Sequence, residues 1–520
     1  VSAGLLQAVS MSAARRAPKA SFVFIDRYPR REARVDETEI YPAIFIAAAN
    51  SIESGILLKQ RGMPVSLCRQ SESAYETGSM QPEALDELYS AHLHTLSART
   101  TEALAAAGYD TLVLHSGGLR TVDFDDCHYP FRAHAAFRLW APLTDAPDCF
   151  VIVRPGRRPG LLFSQPDDYW HKATPLPDSW WAGEFDIEPV RDLRAARTAV
   201  PAGGRTAFIG DATGFGDWGF AAVNPQPLIT RLDFARACKT PYEIACLREA
   251  NLLGARAHAA AAHAFGARSS EYGIALAYMA AIAVREQELP YNPIVALNAG
   301  GSVLHYQVLG RTPPQDHHSL LIDAGAGFAG YASDITRTYA FDDPDFALLI
   351  GKMDEVQQTL CAGVRAGVDW RDLHLTAHRL IAELLHDSGI ITLDAEAAVD
   401  SGLSSVFLPH GLGHLLGLQV HDVGGTLATP EGGTIPQPDG HPNLRLTRVL
   451  EEGYVVTMEP GLYFIDSLLV AAKANSHARH IDWKRVAQFA PFGGIRIEDN
   501  LAVTASGCEN LTREAFRTLS

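Results

Sequence analysis

Residues 320–339 read LLIDAGAGFAGYASDITRTY. The apolar run closing on Asp323 and turning at Gly325 reads as a buried strand. The stretch YASDITRTYAF that follows alternates, which predicts the partner strand of a hairpin with Asp334 on it. Eleven residues separate the two acids, an odd spacing that would put them on opposite faces of one continuous strand. Across a hairpin, both can point at the same place. A lone acid after a strand is ordinarily a turn former, but an acid centred in an apolar strand is costly to bury unpaired.

Three later blocks carry further potential ligands. His414 is the second histidine of PHGLGHLLGLQVHD (409–422), Glu459 lies in GYVVTMEPGLYF (453–464) and Glu498 in FGGIRIEDN (492–500). With Asp323 and Asp334 they make four carboxylates and one imidazole. This hard, oxygen-rich set suits two divalent ions of the Mn²⁺ type rather than one structural Zn²⁺. Two cations held roughly 3.5–4 Å apart need bridging anions, and the pair can activate a shared water at neutral pH. The pattern reads as a two-metal hydrolase.

The same blocks resemble the metal-dependent pita-bread peptidases, most closely the bacterial prolidases, which are Xaa-Pro dipeptidases. The resemblance rests on LLIDAGAGFAGYASDITRTY, LPHGLGHLLGLQVHDVGG, LEEGYVVTMEPGLYFIDSLL and PFGGIRIEDN. Upstream, YNPIVALNAGGSVLHY (291–306), FDDCHYPFRAHAAFRLW (124–140) and DDYWHK (167–172) extend it, so that it covers residues from about 80 to 520. It implies an α+β pita-bread catalytic domain over 239–520, preceded by a smaller mixed α/β domain over 80–238. It also implies cleavage before the C-terminal proline of Xaa-Pro dipeptides by a metal-bridging hydroxide.

In that family scheme Asp334 and Glu498 bridge two metal ions, taken as Mn²⁺. Asp323 holds one ion, while His414 and Glu459 hold the other, and Glu459 shuttles the proton. His305, His410 and His421 match pocket histidines suited to stabilising oxyanions. For His410, shaping the loop is an equal alternative. Arg496, two residues before Glu498, would share its face on a strand. Its guanidinium could grip the substrate's C-terminal carboxylate or orient a ligating acid by a salt bridge. Tyr291 and Leu304 match positions near the substrate, though a core aromatic and a core leucine explain them equally well. In the family the small domain of one subunit reaches its dimer partner's site. A homodimer is therefore implied, with Asp126 pairing the substrate's free amino terminus and Trp170 packing on a side chain; a turn acid and a surface aromatic are the plainer readings. A preference for proline follows the same resemblance, since proline's nitrogen offers no N–H and its ring restricts the preceding residue.

Composition agrees. A chain of 520 residues should form two or three domains around a large core. Apolar content is 47% and no apolar run reaches the length of a membrane span. The net charge of −16 argues against nucleic acid as a partner, which requires basic patches. Seven cysteines scattered without a C-x-x-C point to reduced thiols in a cytoplasm. Strands are expected at TLVLH (111–115), CFVIV (149–153), LLFSQ (161–165) and TAFIG (206–210). One helix should run from about Asp86 to Gly108, and another should begin at Thr240–Pro241. The catalytic part is expected to form two similar α+β halves around a central site.

Residues 1–79 stand apart as an N-terminal extension, either poorly ordered or an over-extended reading frame with Met80 as the real start. They lack the features of a secretory signal. Two rivals share the site pattern. Aminopeptidase P carries the same five ligands but acts on longer X-Pro peptides; a pita-bread binding protein without catalysis would typically have lost ligands that are all present here. Two metals could also polarise a phosphoryl oxygen, so a side activity on organophosphate triesters is a further expectation.

Overall fold

The computed structural model describes residues 82–519 apart from 171, 173 and 202. The expectation for residues 1–79 lies outside the described residues. Helix α1, Pro82–Ala107, ends where Gly108 adopts a φ of +82°, the left-handed cap that a glycine supplies without steric cost.

Six strands follow: β1 (Thr111–His115), β2 (Phe150–Val153), β3 (Gly160–Ser164), β4 (Asp186–Val190), β5 (Thr206–Ile209) and β6 (Ala222–Val223). They form one mixed sheet in the order β4-β3-β2-β1-β5-β6. The four expected strands are all present. The two that local pattern did not announce, β4 and β6, are the edges. β4 carries Pro189, which an edge strand tolerates because one side of its ladder is open. Helix α2, Gln226–Arg236, closes this part.

Helix α3, Pro241–Gly266, starts as expected and with more support than the Thr-Pro signal alone. Thr240 Oγ1 accepts from Glu243 N, and the Thr240 N–H donates to Glu243 Oε2 at 2.9 Å. This reciprocal capping box satisfies two otherwise orphaned helix-end groups. Helix α4 spans Glu271–Ala281.

Beyond these helices two three-stranded antiparallel sheets face the site. The first comprises β7 (Ile294–Leu297), β8 (Ser319–Asp323) and, after the two-residue strands β9 (Gly327–Phe328) and β10 (Tyr331–Ala332), β11 (Thr336–Ala340), in the order β11-β8-β7. Helices α5 (Pro344–Ala362) and α6 (Trp370–Asp387) and the hairpin β12 (Leu427–Thr429) with β13 (Gly432–Thr434) intervene. The second sheet combines β14 (Val455–Met458), β17 (Asp499–Val503) and β18 (Cys508–Asn510) in the order β14-β17-β18. The pair β15 (Gly461–Tyr463) and β16 (Gly494–Arg496) prolongs its first ladder. An isolated bridge between Thr336 and Glu498 ties the two sheets together. Helix α7, Leu511–Leu519, ends the described chain. No helix among the described residues is long and apolar enough to cross a membrane.

The hairpin reading of 320–339 needs one correction. β8 and β11 do pair antiparallel, with Asp323 opposite Thr336. Asp334, however, lies two residues before β11 rather than on it. The small β9–β10 ribbon, turned at Ala329 and Gly330 with positive φ, absorbs residues that a longer strand would have needed.

Candidate active site

Each sheet presents two acids at the open end of a ladder. Asp323 is the last residue of β8, and Asp334 stands just before β11. In the second sheet Met458 pairs with Asp499, so Glu459 and Glu498 fall opposite each other immediately beyond that pair. His414 comes from a segment laid along β14. Leu415 bridges to Val456, the Thr457 N–H donates to His414 O at 3.0 Å and the Glu459 N–H donates to Leu412 O at 2.9 Å. That segment must approach closely. A Cβ at Gly413 would fall 2.1 Å from the Thr457 carbonyl oxygen, and one at Gly325 would fall 2.0 Å from that of Ser333. Gly413 of HGLGH and Gly325 of DAGAG are thus required by backbone proximity.

The five residues converge. Donor atoms of Asp334, His414 and Glu498 lie within 4.8 Å of one another, and all three residues are buried. His414 Nε2 is 3.4 Å from Asp334 Oδ2 and 3.7 Å from Glu459 Oε1. His414 Nδ1 lies 3.0 Å from Leu415 O, a contact that makes Nδ1–H the donor and leaves Nε2 toward the carboxylates. The Tyr291 hydroxyl contacts both aspartates, 2.7 Å from Asp323 Oδ1 and 2.5 Å from Asp334 Oδ1. Asn500 clamps the backbone of Asp334, accepting from its N–H at 3.0 Å and donating to its carbonyl at 2.6 Å.

Arg496 is buried and all three of its guanidinium nitrogens are engaged. Nη2 donates to Asp323 Oδ2 at 2.7 Å, Nη1 to Tyr463 Oη at 2.9 Å and Nε to Thr336 Oγ1 at 3.1 Å. Thr336 in turn donates to Glu498 Oε2 at 2.6 Å. Of the two readings of Arg496, this geometry favours the one in which it orients a ligating acid.

Too many negative charges meet here for the protein alone to balance. Burial and the charges of Asp334, Glu459 and Asp323 hold the Glu498 carboxyl well above its ordinary range. Burial pushes Glu459 up to about 7 despite His414 and Arg496. Asp323 is raised by burial, against the pull of Arg496. Burial opposes the charge of Asp334 too, but the His414 imidazole bonded to it holds that carboxyl below its usual value. Such a set fits divalent cations. It offers mainly oxygen donors, one oriented imidazole and an uncompensated negative charge that added positive charge would relieve.

The remaining site residues are placed less uniformly. His410 Nδ1 lies 2.8 Å from Gly411 O and Nε2 lies 2.8 Å from Tyr463 Oη. Both nitrogens are used by the protein, and burial with the nearby Arg496 lowers the pKa to about 4. His421 packs edge-on against His414 with ring centroids 4.3 Å apart and reaches solvent. Burial and the neighbouring His414 lower its pKa to about 4. His305 is exposed, near enough to depress both His410 and His421. Leu304 packs against the small cluster of Ile294, Ala296, Leu321 and Tyr463, the core reading.

Asp126 and Trp170 are exposed and share no bond with the carboxylates within one chain. Asp125 shows the turn role, accepting from the N–H groups of Asp126 and Cys127. The same region does reach the site's edge: Arg132 donates to the Leu289 and Pro290 carbonyls, immediately before Tyr291. Tyr463, Thr336 and Asn500 are site residues that sequence reading passed over. Asn500 alone had a signal, its position two residues after Glu498 in IEDN.

Comparison with known proteins places this geometry. A family model described as metallopeptidase family M24 matches residues 245–505, and one described as the Xaa-Pro dipeptidase N-terminal domain matches residues 87–234. The chain is 50% identical over 442 residues to a Xaa-Pro dipeptidase of Xanthomonas campestris pv. campestris strain B100, covering 84% of this chain and 99% of that one. It is 48% identical over 432 residues to a Xaa-Pro dipeptidase of Stenotrophomonas maltophilia, covering 82% and 97%. Among solved structures, Pseudomonas aeruginosa aminopeptidase PepP superposes with a TM-score of 0.64 at 22% identity, over 82% of this chain and 95% of that one. Aminopeptidase P from E. coli with the inhibitor Pro-Leu gives 0.63 at 22% identity, over 81% and 94%. These structures share the pita-bread fold of the catalytic part. The chain belongs to the Xaa-Pro dipeptidases of metallopeptidase family M24.

Proposed function

We propose that this protein hydrolyses the peptide bond before the C-terminal proline of Xaa-Pro dipeptides, with two divalent ions of the Mn²⁺ type in each subunit. The observation that carries this reading is the convergence of Asp323, Asp334, His414, Glu459 and Glu498 from separate blocks onto one negatively charged centre. Its choice of dipeptides over the longer peptides of an aminopeptidase P rests on the match of residues 87–234 to the dipeptidase N-terminal domain.

Asp323, Asp334, His414, Glu459 and Glu498 would together hold the two ions in this scheme. When bound, the ions supply a water deprotonated at neutral pH and polarise the scissile carbonyl. Glu459 takes the proton and later delivers it to the proline nitrogen. A carboxyl whose proton affinity burial has raised suits that exchange. His421, whose ring has no hydrogen-bond partner among the described residues, donates to the developing oxyanion, and His305 lines the same mouth. His410, with both nitrogens engaged, positions the loop through Tyr463. Tyr291 fixes the two aspartates, and Leu304 supplies apolar wall.

The domain division at 238/239, the homodimer and the cytoplasmic setting belong to this reading. Asp126 and Trp170 then serve the partner's site, where an exposed acid can pair with the substrate's free amino group and limit length. Hydrolysis of organophosphate triesters is a side reaction of the same centre.

The test is hydrolysis of Ala-Pro beside Ala-Pro-Ala by metal-stripped protein and after Mn²⁺ is restored. Metal-dependent cleavage of the dipeptide alone is the expected result. Preferential cleavage of the tripeptide would move the assignment to aminopeptidase P, and no cleavage of either by metal-loaded protein would overturn it.

A further inference from the structure

A second cluster of metal-capable side chains lies apart from the carboxylates. His374 and His378 stand four residues apart on α6, on one helical face, the spacing by which helices commonly present two imidazoles to one ion. His441 comes from the loop before Leu444. The three ring centroids are 4.4–4.8 Å apart with the rings edge to face, and one nitrogen from each ring lies within 4.8 Å of the others. His374 and His378 are almost wholly buried, and His441 is half-buried.

The same helix buries Trp370, Leu373 and Ala377 in an apolar cluster, so two buried histidines beside them are polar groups in a helix that otherwise buries apolar side chains. Among the described residues, neither nitrogen of His374 has a hydrogen-bond partner. Nor does Nε2 of His378, whose Nδ1 lies 3.0 Å from Ser404 Oγ. Buried polar nitrogens left in this state are unfavourable. A cation accepting one lone pair from each ring would engage one nitrogen of His374 and Nε2 of His378. No carboxylate belongs to the cluster, so its chemistry differs from that of the first centre. Imidazole sets of this kind take borderline ions such as Zn²⁺, Ni²⁺ or Cu²⁺.

We propose that His374, His378 and His441 form a third metal site, selective for a Zn²⁺-like ion, that pins the 438–444 loop to α6. Three nitrogens around a tetrahedral zinc lie roughly 3.3 Å apart, given bond lengths of roughly 2.0–2.1 Å, so modest ring rotation closes the set. The half-exposed side of His441 leaves a fourth position open to water. The pinned loop matters to the first centre, because Asn443 Nδ2 donates to Pro409 O at 2.9 Å, next to His410.

Zinc bound per chain after equilibration with Zn²⁺ and desalting decides the question, compared among wild type, His441→Ala and His441→Cys. The readout is a difference and does not depend on how many ions the carboxylate centre takes. One more Zn²⁺ in wild type than in His441→Ala, recovered in His441→Cys because thiolate is also a zinc ligand, is the expected result. Equal zinc in all three overturns the site. Should His441→Ala misfold, shown by loss of its Mn²⁺, the cysteine variant decides. Mn²⁺ content matching wild type with the extra Zn²⁺ sustains the site, and the same Mn²⁺ content without it overturns the proposal.

Discussion

Glu498 and Asp499 are neighbours in sequence and both buried, Glu498 immediately before the strand that Asp499 opens, yet their side chains meet different surroundings. On the Asp499 side Arg337 donates at 2.7 Å, Arg513 at 2.7 Å, Gln357 at 2.9 Å and Asn510 at 2.9 Å. Burial alone would raise its carboxyl, but the two guanidiniums hold it at about 2. On the Glu498 side the carboxylate accepts one bond from Thr336 and faces three more acids, and its pKa is driven the other way. Asp422 repeats the first pattern one residue after His421, paired with Arg236 and, at 2.8 Å, with Lys239. Asp499 and Asp422 thus arrive with two cations each, whereas the Glu498 carboxylate has no Arg or Lys partner among the described residues; of the ligand acids Asp323 is the exception, paired with Arg496. The contrast between Glu498 and Asp499 separates a ligand from a bridge more sharply than burial does.

The contrast can be broken most directly at the metal side. Glu459→Gln keeps the shape of the side chain and removes both a ligand charge and the proton shuttle. We expect kcat/KM on Ala-Pro to fall about a thousandfold, with thermal stability no worse in the absence of metal because a crowded charge has gone. Activity within tenfold of wild type would remove Glu459 from the mechanism. Asp499→Asn makes the opposite change. Leaving Arg337 and Arg513 without their shared partner should cost about 3–5 kcal/mol in urea unfolding, while the folded fraction keeps its full Mn²⁺ content. Loss of metal at unchanged stability would invert the comparison.

A subtler probe is Tyr291→Phe, which removes the hydroxyl shared by Asp323 and Asp334. Groups that orient ligating carboxylates typically contribute 10- to 100-fold in metal affinity, so Mn²⁺ dissociation should rise by about that factor with kcat at saturating metal nearly intact. An unchanged affinity measured by calorimetry would reduce Tyr291 to a core aromatic.

Local chemistry made much of this molecule readable in advance. The Thr240–Pro241 helix start, the Gly108 helix stop and four strands of the first sheet follow from capping groups and apolar runs, which act within a few residues. The five ligand candidates could be found because each acid or histidine interrupts an apolar or glycine-flanked block. What escaped reading is non-local. The bond of Arg496 to Asp323 joins residues far apart in the chain, and the hydroxyls of Tyr291, Tyr463 and Thr336 become meaningful only when the two sheets meet. His374 and His378 look like ordinary positions of an amphipathic helix until the 438–444 loop brings His441 against them. Asp334 fell outside its expected strand because the β9–β10 turn depends on Ala329 and Gly330 adopting left-handed backbone, which alternation does not encode.

The smallest expected effect tests the charge imbalance itself. In metal-free protein the Glu459 carboxyl is raised by burial from its ordinary 4.5 to about 7. The folded state therefore binds more protons than the unfolded chain between those values. The resulting stabilisation is present in full below about pH 4.5 and is lost as pH rises through about 7. The raised His414 contributes in the same direction. Divalent ions bind the deprotonated carboxylate, so they replace what the protons lose. The gain in Tm on adding a fixed excess of Mn²⁺ should therefore be a few degrees larger near pH 7.5 than near pH 5, as followed by scanning calorimetry. The depressed pKa values of His410 and His421 affect stripped and loaded protein alike to first order, so the difference isolates the carboxylates. A metal gain independent of pH would mean that the four acids are already compensated within the protein, and the distinction between Glu498 and Asp499 would fail at its electrostatic root.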